Sequence, residues 1–134
     1  MLVLDTNTIS YYFRGEPCVV AALEATTPEQ VAVPAIVVYE LQYGLRRLAP
    51  SQAKPRLQAL AHFLQYVRVI PFDEQVAQIA AKVRVDLEKL GTPIGAHDVL
   101  IAATALSVHG QLVTRNIREF RRVTGLQCLN WFDT

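Results

Sequence analysis

Short apolar runs of three or four residues, each closed by Pro, Asp or Thr, alternate with longer helical patterns along this chain. That alternation constrains the fold more than any other feature. Leu2–Leu4, residues 31–33, residues 67–70 and Gln111–Val113 read as strands. Gln127–Leu129 reads as a fifth. Asp73 is placed to cap a helix carrying Val76, Ile79, Ala80, Val83, Leu87 and Leu90 on one face, ended by Gly91 and Pro93. Val38, Leu41, Leu45 and Leu48 make a second stripe; Leu57, Leu60, Ala61 and Leu64 make a third. Residues 99–106 are apolar nearly all round, which predicts the most buried helix. Strands alternating with helices predict an α/β fold around a mostly parallel sheet.

At 134 residues and 51% hydrophobic, the chain suits one domain with a real core, taken as residues 1–134. No apolar run reaches the ~18–20 residues of a membrane span, and the N-terminus lacks the pattern of a secretory signal, so a cytoplasmic location is expected. Cys18 and Cys128 show no CxxC or paired-His spacing, which excludes a disulfide framework or a zinc site. A net charge of +1 leaves no global field for nucleic acid, so any such binding must rest on a local patch or a metal.

In an open parallel sheet, ligands bind beyond the carboxyl ends of the strands. Asp5-Thr6-Asn7 falls there after the first strand, and Thr114-Arg115-Asn116 after the fourth. Asp5 serves either as a helix N-cap or as a ligand-holding acid. Glu40, flanked by Val37, Val38, Tyr39 and Leu41, is either on the polar edge of a helix or an acid needing a partner. Asp98 stands at the mouth of the most apolar helix, where capping is again the alternative. Its neighbour His97 is either a general base or an exposed surface residue. Glu119 is a candidate ion-pair partner of Arg115, Arg118 or Arg122. Four carboxylates at four element ends suggest an all-oxygen pocket; like charges repel unless a cation neutralises them, and oxygen ligation suits Mg²⁺ or Mn²⁺ and phosphate chemistry.

Four stretches in order, MLVLDTNTIS, VYELQYGL, GTPIGAHDVLIAATAL and LVTRNIREFRRVTGL, resemble a PIN-domain ribonuclease of the VapC class from type II toxin–antitoxin systems. The resemblance covers essentially the whole chain. It implies a three-layer α/β/α sandwich with a central sheet of four to five strands. The implied activity is Mg²⁺- or Mn²⁺-dependent endonucleolytic hydrolysis of single-stranded or loop RNA. Carried over, Asp5, Glu40 and Asp98 match the first three acids, with Thr6, Asn7 and Thr114 as polar support. Many relatives have Asp where Asn116 stands; here Glu119 is taken as the fourth acid and Asn116 as a neutral contact. Arg84 matches an Arg common in the class, and Arg115 and Arg118 are candidate RNA contacts. The resemblance also implies a homodimer, a VapB-like antitoxin whose segment covers the groove built by the first helices, and a larger complex with it.

Tyr11, Tyr12, Phe13, Tyr39 and Tyr43 are either base-stacking residues or core and interface. A phosphatase with an aspartyl nucleophile usually needs an acid two residues on, where Asn7 stands. A non-catalytic PIN-like partner-binding module is the remaining alternative, opposed by the retention of Asp5, Glu40 and Asp98 together.

Overall fold

A computed structural model describes residues 1–133. Strand β1 (Leu2–Leu4) leads into helices α1 (Thr6–Phe13) and α2 (Pro17–Glu24). After a 3-10 turn, β2 (Val31–Pro34) is followed by α3 (Ala35–Arg46) and α4 (Pro50–Leu64), and β3 (Arg68–Ile70) by α5 (Glu74–Lys89) and α6 (Ala96–Ser107). The described residues close with β4 (Gln111–Val113), α7 (Ile117–Phe120) and β5 (Gln127–Leu129).

All strand pairings are parallel, in the order β3-β2-β1-β4-β5. The chain therefore steps one way from β1 to β3, then crosses back to β4 on the other side of β1. With right-handed crossovers, this reversal puts α1–α4 over one face and α5–α7 over the other. Burial agrees. Successive strand residues point to opposite faces, yet Val3, Leu4, Ala32, Val33, Leu112 and Val113 are all 0% exposed. Both faces are covered, as the α/β/α expectation requires.

The helix signals act locally as the sequence implies. Asp73 Oδ1 accepts from Val76 N–H at 3.0 Å, capping α5. Gly91, at φ +69°, takes the left-handed conformation that ends it. In α6, Val99, Ile101, Ala102, Ala103, Thr104 and Ala105 are buried. Three positions depart from the expected stripes, among them Ala61, which is exposed on α4. Leu90 is 70% exposed, because α5 has already ended at Lys89. Leu48 lies beyond the end of α3. Helix α2, PCVVAALE, has no clear apolar periodicity in the sequence and buries only Val19. Among the described residues, no helix is long and apolar enough to cross a membrane.

Candidate active site

The strand order reverses at β1, so the switch-point crevice opens between the carboxyl ends of β1 and β4. Asp5 is the first residue past β1 and Thr114 the first past β4. Backbone bonding stitches them together: Asp5 N–H donates to Val113 O at 3.2 Å, and the Thr8 hydroxyl donates to the same carbonyl at 3.0 Å. Asp5 is 5% exposed. Its Oδ1 accepts from Thr8 N–H at 2.9 Å, so it does cap α1. Capping occupies one oxygen and leaves the carboxylate partnered by the Thr114 hydroxyl. Burial pushes its pKa up; the Thr114 and Thr8 hydrogen bonds oppose the rise, and the charge of Glu40 adds to it.

Thr114 is fully buried and works in two directions. Its hydroxyl reaches Asp5 and accepts from Asn116 N–H at 3.0 Å. Asn116 Nδ2 in turn donates to Glu119 Oε2 at 2.6 Å, while Glu119 Oε1 accepts from Gly95 N–H at 3.1 Å. Glu119 thus ties α7 to the loop before α6. That loop is tight: a Cβ on Gly95 would stand 3.2 Å from Asp98 Oδ2, so a residue without a side chain keeps this oxygen uncrowded.

Asp98, half-buried in the first turn of α6, is hydrogen-bonded to Glu119. Its pKa is pushed up to about 7, first by burial, then by the charge and hydrogen bond of Glu119, then by the charges of Glu40 and Asp5. Burial would raise Glu119 as well, but the Gly95 N–H, the Asn116 amide, Asp98 and Arg122 together hold it low. Asp98 is therefore the member of the pair that protonates first as pH falls. Across the crevice, Glu40 Oε1 accepts from the Thr6 hydroxyl at 2.7 Å, and its Oε2 lies 3.1 Å from His97 Nδ1.

Asp5, Glu40, Asp98 and Glu119, drawn from four separate elements, thus meet in one electrostatic unit, with Thr6, Thr114 and Asn116 bonded to them. Asn7 is exposed on the first turn of α1. His97, which the sequence left between two readings, joins the cluster through Glu40. The arginines divide. Arg115 stands over the Phe132 ring at 3.7 Å and pairs with Asp133 Oδ2 at 3.3 Å, pinning the C-terminal segment. Arg122 Nη1 donates to Pro93 O at 3.1 Å. Arg84 pairs with Glu88 and lines a cavity of about 130 Å³ with Pro93, Ile94 and Val99. Arg118 is exposed beside Glu119.

Among the described residues, no three His, Cys, Asp or Glu side chains already close on a common point as a ready-made coordination shell. The donors are nonetheless of one kind. They are carboxylate oxygens, mutually repelling, at a place where burial strengthens the repulsion; that chemistry fits a hard divalent cation.

Fold and cluster together define an α/β protein with a multi-carboxylate crevice at the switch point of its sheet. The chain belongs to the PIN-domain family, whose model matches residues 2–126. It is 31% identical over 130 residues to the tRNA(fMet)-specific endonuclease VapC of Salmonella typhimurium, with 96% of each chain covered. Identity to ribonuclease VapC2 of Rickettsia felis is 35% over 132 residues, again with 96% of each covered. The structure of VapBC2 from Rickettsia felis, bound to a DNA fragment from its promoter, superposes with a TM-score of 0.88. That match has 31% identity and covers 97% of this chain and 98% of that one.

Proposed function

We propose that this chain is the toxin of a toxin–antitoxin pair and an endoribonuclease that hydrolyses phosphodiester bonds in single-stranded or loop RNA. One observation carries the reading: Asp5, Glu40 and Glu119 all raise Asp98, so the crevice concentrates negative charge that a bound cation would relieve. Likeness to VapC ribonucleases supplies the substrate class.

Asp5, Glu40, Asp98 and Glu119 would hold Mg²⁺ or Mn²⁺. Such an ion supplies an activated water and neutralises charge on the phosphodiester. The chain's own groups do the rest. Thr114 and Thr8 fix the Asp5 carboxylate, Thr6 and His97 fix Glu40, and Asn116 with Gly95 N–H fixes Glu119. Asp98 and Glu119 hydrogen-bond to each other, which holds the two carboxyls together in the crevice. Arg118 is free to meet a substrate phosphate, whereas Arg115 is committed to the C-terminal segment.

An apolar groove of about 470 Å³, lined among others by Tyr12, Phe13, Leu23, Phe63 and Tyr66, runs between α1, α2 and α4. We assign it to a segment of a VapB-like antitoxin. Residues 1–134 are read as a single PIN domain, cytoplasmic and dimeric.

The test is cleavage of a mixed tRNA and ribosomal RNA pool by antitoxin-free protein in Mg²⁺ or Mn²⁺. Discrete fragments that vanish with EDTA and in Asp5→Asn are expected. No cleavage, or cleavage indifferent to both controls, overturns the reading in favour of a non-catalytic partner-binding module.

A further inference from the structure

Helix α3 brings Glu40 into the crevice, and its solvent face carries two large aromatic rings that the core does not use. Tyr39 and Tyr43 are each 57% exposed. Four residues apart, they share one helix face. Their rings stand 6.4 Å apart, centre to centre, with planes inclined by only 22°. At the crevice end, His97 meets the Tyr39 ring edge-on at 6.0 Å while touching Glu40. At the far end, Arg47 lies over the Tyr43 ring at 5.4 Å. Arg46 and Arg47 add two cations to the last turn, and nothing stands within 4 Å of a Cβ built on Gly44, so the surface beside the rings is bare.

Leaving two tyrosine rings in solvent serves no folding purpose, and an exposed pair continuous with a reactive crevice marks a binding surface. The chemistry of this one narrows its occupant. Two near-parallel π faces stack planar rings, and the cations at the end call for negative charge. Stacked planar rings with one negative charge per unit describe single-stranded nucleic acid.

Resting on the endoribonuclease reading above, we propose that Tyr39 and Tyr43 form a base-stacking rail, finished by Arg47, that holds the two unpaired nucleotides flanking the scissile phosphate. The rail sets how far single-stranded character must extend from the cut. Because stacking is sequence-tolerant, it selects for unpaired structure and not for base identity.

The experiment compares Tyr39→Ala, Tyr43→Ala, Tyr39→Phe and Tyr43→Phe. Binding of a fluorescent single-stranded RNA is read by anisotropy in an Asp5→Asn background with Mn²⁺. Hydrolysis of bis(p-nitrophenyl) phosphate, which has no bases to stack, is read in the otherwise native chain. Each Ala variant should weaken RNA binding about 5- to 100-fold. Each Phe variant should bind like the parent, and hydrolysis of the small diester should not change in Tyr43→Ala, whose ring meets Tyr39 and Arg47 rather than the acids. Unchanged RNA binding in the Ala variants overturns the rail, as does a Phe variant as weak as its Ala counterpart. A changed elution volume with unchanged RNA affinity assigns the face to a second copy of the chain and also overturns it. Failure of the native chain to hydrolyse either RNA or the small diester counts against the endoribonuclease reading instead, and the binding series still judges the rail.

Discussion

Replacing Asp98 by Asn should make the metal-free protein more stable, by an amount that grows from about pH 4 and is complete above neutral pH. The folded carboxyl sits at about 7 against an ordinary 3.8. A raised carboxyl pKa means that the folded state binds more protons than the unfolded one between those values. Stability is therefore lost as pH rises through that window and is fully present below it. Three units at about 1.4 kcal/mol each set a ceiling of about 4 kcal/mol. Asp98 is only half-buried, and solvent screening reduces this to about 1–2 kcal/mol. For a chain of this size that corresponds to roughly 4–8 °C in melting temperature. Asn keeps a donor for Glu119 while removing the charge. In EDTA, the variant should melt with the parent below about pH 4 and increasingly above it as pH rises, with the full gap by pH 8, by calorimetry or circular dichroism. A variant equally or less stable at pH 8, or a difference independent of pH, would refute the claim that charge repulsion is stored at Asp98.

Three further outcomes follow from the same geometry. Thr114→Val removes the hydroxyl that links Asp5 to Asn116 and should weaken divalent-ion affinity about 10- to 100-fold, measured by isothermal titration; unchanged affinity would make Thr114 a packing residue. Gly110→Ala would put a Cβ 2.8 Å from Val3 Cγ2 and 3.0 Å from Met1 O, and should cost about 1–3 kcal/mol in urea unfolding. Asp73→Ala removes the cap of α5 and should cost about 1 kcal/mol with RNA cleavage per folded molecule unchanged.

How much could be read in advance depended on sequence separation. Strands such as Leu2–Leu4 and Gln111–Val113 are short, mostly apolar and bounded by breakers, so their signal is local. The cap at Asp73 and the stop at Gly91 are local too. Helix α2 (PCVVAALE) escaped because it is apolar without clear periodicity and begins only four residues after α1 ends. Four acids at element ends were legible singly. What bonds them was not: His97 meets Glu40 across 57 positions, and Gly95 meets Glu119 across 24. Arg115 illustrates the same limit. Its charge and its place after β4 suggest a substrate contact, and only the folded chain reveals Phe132 and Asp133 beside it.

Mn²⁺ binding tests most directly whether the four carboxylates act as one site. Free Mn²⁺ can be followed by its electron paramagnetic resonance signal during titration with the native chain, Asp5→Asn, Glu40→Gln, Asp98→Asn and Glu119→Gln. Saturable binding by the native chain, weakened by every one of the four substitutions although they lie on four elements, is the predicted result. Binding that survives them all, or no binding by a native chain that cleaves RNA, would contradict the account.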